Sequence, residues 1–245
     1  MNAGAIIGTV PGDALVRRSP YNRHPLPPAF ALGLAVFAGL LVALFVLDAI
    51  TYAYHRIGIG QGVMFSLIWL SLLGGLVNIP LARLRGRETL EVGEITVFGV
   101  RYRVPVVRRQ PTTIIAVNLG GAVIPAGLSV YLLINDGVWW QAAVAVVFVA
   151  TLVHAFARPV PGLGIAVPAL VPPLLAAAAA LVLSASAPAA VAYIAGTLGT
   201  LIGADLLNLP RLRELGAGVA SIGGAGTFDG VFLSGIIAVL LVGIR

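Results

Sequence analysis

Seven runs of apolar residues, each close to the length of a membrane span and nearly free of charge, dictate what this chain can become. They fall at 29–54, 61–82, 113–134, 138–157, 163–187, 189–209 and 228–244. At a rise of 1.5 Å per residue, roughly twenty residues cover the ~30 Å hydrocarbon core of a bilayer. Only 10% of the 245 residues are charged and 59% are hydrophobic, whereas a water-facing domain has roughly a quarter of its residues charged. The expectation is an all-α membrane protein of about seven transmembrane helices.

Loop charge orients such a chain. With a cytoplasmic N-terminus, alternating the spans puts Arg17, Arg18, Arg23, Arg83, Arg85, Arg87, Arg101, Arg103, Arg108, Arg109, Arg158, Arg211 and Arg213 inside and leaves Arg56 and Arg245 outside. Loop arginines of short connections stay cytoplasmic, so the pattern predicts a multi-pass chain with its N-terminus in the cytoplasm. Arg17, Arg18 and Arg23 precede a run too long for a signal-peptide core, so the first span is expected to be retained. No basic face is interleaved with exposed aromatics, which argues against a nucleic-acid partner. The absence of cysteine excludes thiolate sites and disulfides.

Residues 1–28, rich in proline and without either period, predict a flexible cytoplasmic tail; 29–245 forms the polytopic domain. Within it, 83–112 is the only substantial polar segment, and EITVFGVRYRVPVV alternates around Phe98-Gly99, which predicts a small cytoplasmic β-hairpin. Asn78-Ile79-Pro80 and Asn208-Leu209-Pro210 precede cytoplasmic arginines and read as helix stops. Residues 215–244 are too long for one straight span, and their first half is crowded with glycine, which predicts a broken or re-entrant segment.

Three carboxylates fall inside the runs: Asp48, Asp205 and Asp229. A carboxylate in a span costs roughly 2.5 kcal/mol or more on insertion scales, so it faces the protein interior and serves a pathway or a site. Asp48, near the outer end of the first span, suits an interfacial hydrogen bond. Asp205 lies six residues before Arg211, and Asp229 is the only charge between Glu214 and Arg245. On consecutive antiparallel spans, both at cytoplasmic depth, the two would form a dyad. Asn78, Asn118, Asn208 and His154 are the other polar residues of interest within the runs. His154 is read either as a partner of the dyad or as an interfacial side chain. No metal or organic cofactor is expected.

The segment Gly226-Thr227-Phe228-Asp229-Gly230-Val231-Phe232-Leu233-Ser234-Gly235 resembles the GxGD segment of presenilins and signal peptide peptidases, with Phe228 where that family has glycine. The resemblance implies that Asp205 and Asp229 are the catalytic pair, with Ala204 where the family has tyrosine. Gly226, Thr227 and Gly230 of that segment, with Gly203 beside Asp205 and the span residues Asn208, Asn118 and His154, are expected to shape the site. Pro168-Ala169-Leu170 is similar to the family's Pro-Ala-Leu segment, although it lies earlier in the chain. The string of ARPVPGLGI, GTLIGADLLNLP and ASIGGAGTFDG, over roughly residues 60–244, resembles a prokaryotic family of multi-spanning membrane proteins with no assigned activity.

Three functions remain open at this point. The first is an intramembrane aspartyl protease acting on transmembrane peptides. The second is a proton- or cation-coupled transporter or channel using the same aspartates, with discontinuous helices at Pro125, Pro161, Pro168, Pro172 and Pro173. The third is a scaffold whose aspartates only bond helix to helix. All three have the lipid bilayer as partner, and none fixes the oligomeric state.

Overall fold

The computed structural model describes residues 28–84, 88–97, 100–109, 113–160, 164–214, 219–224 and 230–244. Of the predicted tail, 1–28, residues 1–27 lie outside them and Pro28 opens the first helix. The chain divides into two units, 1–44 and 45–245. The described part of the first is the apolar N-terminal portion of α1 (Pro28–Arg56).

Helices dominate the second unit. After α1 come α2 (Gln61–Gly74), α3 (Ile124–Asp136), α4 (Trp139–Phe156), α5 (Val171–Leu183), α6 (Pro188–Thr200) and α7 (Gly230–Gly243). Seven α-helices are therefore present among the described residues. Four helical stretches are long and apolar enough to cross a membrane: Ala31–Arg56, Leu119–Asp136, Trp139–Phe156 and Pro188–Arg211. The helices α2, α5 and α7 are shorter.

Several apolar runs thus turn out not to be uniform helices. The run 61–82 is α2 followed by β1 (Asn78–Leu84), and 113–134 begins as β4 (Thr113–Asn118) before a π-helical turn, Leu119–Val123, leads into α3. The run 163–187 includes β6 (Gly164–Ala166), which follows β5 (Arg158–Val160). Apolar content cannot separate a buried strand from a helix over so few residues. Pro172 and Pro173 open α5 in its first turn, where a missing N–H costs nothing, whereas Pro125 stands at the junction of the π turn and α3, within the helical stretch Leu119–Asp136.

The strand content corrects the all-α expectation. β1, β4 and β7 (Val219–Ile222) form a sheet in the order β1-β4-β7. β1 runs antiparallel to β4 from Asn78↔Asn118 to Leu84↔Thr113, with an irregularity after Pro80. β7 runs parallel to β4. The predicted hairpin is present as β2 (Glu88–Val97) and β3 (Val100–Arg109), in register from Val97↔Val100 to Glu88↔Arg109. Its period-2 alternation was legible because both strands belong to one local pair.

The core is built around α6, which packs against α3, α4, α5 and α7. Small residues let the backbones approach. A Cβ at Gly196 would stand 2.8 Å from the Ser234 carbonyl oxygen of α7, and one at Gly199 2.7 Å from Val149 Cβ of α4. Tyr54 and Tyr193 are buried in the same cluster. Tyr52 donates to the Gly243 carbonyl at 3.2 Å. Asp48, by contrast, is exposed on α1 and makes no hydrogen bond among the described residues.

Connections alternate between two places. Those between α1 and α2, α3 and α4, and α5 and α6 line one common cavity. Those between α2 and α3, α4 and α5, and α6 and α7 carry the strands.

Candidate functional site

Asp205 ends a π-helical turn, Leu201–Asp205, which continues α6 and hands over to a 3₁₀ stretch, Leu206–Glu214. Such changes of pitch occur where a side chain must be re-aimed or a neighbour comes close. Here the neighbour is α4: a Cβ at Gly203 would lie 2.5 Å from the Ala150 carbonyl oxygen. The fully buried Asn208 closes the break, its Nδ2 donating to the Gly203 and Ala204 carbonyls at 2.9 Å each. Its Oδ1 accepts from Arg211 Nη1 at 2.9 Å. Asn208 therefore does not stop the helix in a left-handed conformation, and Pro210 lies inside the 3₁₀ stretch. Asn78 does not stop a helix either, because it is the first residue of β1.

The half-buried Asp205 side chain accepts from the Gly223 N–H through Oδ2 at 2.7 Å. Gly223 follows β7 with φ 81°, in the left-handed region that favours glycine. A Cβ there would stand 2.6 Å from Ala122 Cβ, and a Cβ at Gly121 would collide with the Gly223 carbonyl oxygen. Two π turns, 119–123 and 201–205, thus converge on one residue, the first by close backbone packing and the second by the Asp205 carboxylate.

The same strand carries a second polar chain. Asn118, 1% exposed, accepts from Gly121 N at 2.7 Å and donates to the Gly75 carbonyl at 2.8 Å and to Asn78 Oδ1 at 3.1 Å. Ser221 donates to the same Asn78 oxygen at 2.6 Å. Ser71 donates to the Gly120 carbonyl at 2.6 Å. Buried polar groups of this kind hold only when all are partnered, so β7, the π turn and the end of α2 are locked as one unit.

Of the predicted site residues, the structure brings together Asp205, Gly203, Asn208 and, across Gly223, Asn118. Gly203 acts as a close-packing residue. His154 is half-buried on α4, and its buried Nδ1 has no hydrogen-bond partner among the described residues. Pro168, Ala169 and Leu170 are exposed between β6 and α5, although β6 itself packs against the turn carrying Asp205. Gly230 opens α7. Gly226, Thr227 and Asp229 lie outside the described residues. Among the described residues, no three His, Asp or Glu side chains gather where they could hold a metal. Sequence reasoning missed Ser71 and Ser221, whose only signal was a hydroxyl beside glycines.

Fold and site define a class: a mostly helical chain, apolar enough in four stretches to cross a membrane, with an aspartate at a helix break braced by a three-stranded sheet. The family described as "Protein of unknown function (DUF1614)" matches residues 72–241, and the chain belongs to it. The matched region contains the sheet, both π turns and Asp205, and omits α1. No curated protein and no solved structure matches the chain.

Proposed function

We propose that this is a multi-pass protein of a prokaryotic cytoplasmic membrane in which Asp205 and Asp229 work as an aspartyl-protease-like pair on membrane-embedded peptides. The observation that supports the pairing is the Asp205–Gly223 hydrogen bond, which fastens the first carboxylate to the start of the GGAGTFDG segment. Two close carboxylates in a poorly hydrated site share one proton, because both cannot ionise together. The ionised one takes a proton from water as it attacks the peptide carbonyl. The protonated one donates to the carbonyl oxygen; the other, now carrying the proton from water, then gives it to the leaving nitrogen as the diol returns a hydroxyl proton to the first donor. β7 stands at one edge of its sheet, and an extended substrate added alongside it would be presented next to Asp205.

The pairing predicts carboxyl groups about 4–6 Å apart, the range in which one strongly raises the other's pKa. In this cysteine-free chain, Asp205→Cys with Asp229→Cys should be joined efficiently by a short bifunctional thiol reagent. Failure to crosslink, with each single cysteine still reactive, would refute the dyad.

Lipid as solvent is supported by large exposed apolar side chains on α4, among them Val144, Val147 and Phe148, which in water would form a sizeable unstable patch. Two-sided connections suit alternate crossings, with Arg83, Arg158 and Arg211 on the strand-bearing side and Arg56 at the opposite cavity. The orientation proposed puts the strand side in the cytoplasm. Single cysteines at 101 or 211 should resist impermeant maleimide in intact cells, while one at 137 should label; the reverse would invert the topology.

A transporter is the second reading. It is favoured by the two π turns meeting at Gly223, since interrupted helices around an ionisable group are how ion pathways are built.

A further inference from the structure

At the cavity remote from Asp205, two surfaces of different chemistry meet. One is a polar cavity of about 480 Å³ lined by His55, Arg56, Asn135, Asp136 and Ser186 together with the first turn of α6. The other is an apolar groove of about 530 Å³ between α2 and α3, lined by residues such as Val63, Leu67, Leu70, Gly127 and Tyr131. Gly58 lines both, so the polar cavity and the groove adjoin there. Gly127, Tyr131 and Asn135 recur at helical spacing on one face of α3, and from Ile124 to Asn135 that face runs roughly 16 Å.

The polar cavity has charge of both signs on different walls. Arg56 and the N-terminal end of α6 are its cationic side; Asp136 at the C-terminal end of α3 is its anionic side, and the helix ends add to each. Among the described residues no ion pair joins Arg56 to Asp136. Arg56 instead lies over the Tyr52 ring, 5.9 Å from its centroid, and Asp136 accepts only from Asn135, at 2.8 Å. Exposed Tyr52, Tyr131, Trp139 and Trp140 stand nearby in sequence, the residues that collect at headgroup level.

We infer that this surface binds a zwitterionic glycerophospholipid with a primary ammonium headgroup, phosphatidylethanolamine in chemical terms. Its phosphate meets Arg56 and the α6 N-terminus, its ammonium meets Asp136 and Asn135, and one acyl chain lies in the α2–α3 groove. A purely anionic lipid would leave Asp136 facing a like charge. A headgroup without a tail would leave the groove empty of its apolar partner. A choline headgroup lacks the N–H donors that the Asp136 and Asn135 oxygens accept.

The inference rests on the membrane reading proposed above, and the test separates the two. Membranes from expressing cells are first washed with alkaline carbonate; release of the protein would overturn both. For protein that stays, native mass spectrometry of the purified full chain is run with phosphatidylethanolamine, phosphatidylglycerol, phosphatidylcholine and free O-phosphoethanolamine. Retention of phosphatidylethanolamine should exceed that of phosphatidylglycerol by about tenfold, which is about 1.4 kcal/mol. Arg56→Ala and Asp136→Asn should each lower it by a similar factor. Gly127→Leu should displace the lipid by filling the groove, because nothing stands within 4 Å of a Cβ at Gly127 and the variant has room to fold. Unchanged thermal unfolding confirms that each variant is intact. Equal or stronger binding of phosphatidylglycerol or phosphatidylcholine, indifference to the three substitutions, or displacement of the lipid by free O-phosphoethanolamine alone would each overturn the lipid assignment.

Discussion

Asp205→Asn and Asp229→Asn are each expected to abolish cleavage of single-span peptides by the purified protein, a fall of at least about 10²- to 10⁴-fold, the usual scale for losing a positioned acid or base. The substitution preserves size and can keep the Gly223 N–H as a donor to a side-chain oxygen, so the packing at the helix break should survive. It removes the proton that the pair must exchange. Wild-type rates across a pH series should show an acid and a base limb, since a shared proton makes both the fully protonated and the fully ionised pair inactive. If wild-type protein is inert toward a broad panel of peptides while proton or cation flux into liposomes is lost in both variants, the transporter reading replaces the protease. If neither cleavage nor flux exists and both variants are as stable as wild type, the aspartates only join helices.

The largest loss of stability is expected at Asn118. Asn118→Ala removes the acceptor of the Gly121 N–H and the donor to the Gly75 carbonyl, both buried, together with the bond to Asn78. A buried group left without a partner costs roughly 1–3 kcal/mol, so two such groups and a lost bond of roughly 1 kcal/mol come to about 3–7 kcal/mol. Asn78→Ala is the control. Asn78 is exposed, water can replace it, and the expected loss is no more than about 1 kcal/mol. Thermal unfolding in detergent should show a deep drop for Asn118→Ala and a shallow one for Asn78→Ala. Equal drops would mean that the buried asparagine is not what locks the π turn.

Much of this arrangement was legible along the chain. The apolar runs located every described α-helix, because a helix that is apolar on most of its faces leaves a continuous local record. The hairpin at 88–109 was visible because its partners are adjacent in sequence. Asp205, Asn118 and Asn208 stood out simply by being polar where everything around them is not.

What only the three-dimensional arrangement decided is where those polar groups point. β7 pairs with β4 across more than a hundred residues, and nothing in either segment announces the other. An apolar stretch such as 113–118 satisfies its backbone equally well in a helix or in a sheet. The choice of strand followed from partners at 78–84 and 219–222 that supply the missing hydrogen bonds. The same pairing set Gly223 beneath Asp205 and turned Asn78 from an expected helix stop into a link between Asn118 and Ser221. Composition and periodicity record how each segment meets its solvent. Contacts between distant segments depend on the backbone groups that each leaves unpaired, and those are the same at every position except proline.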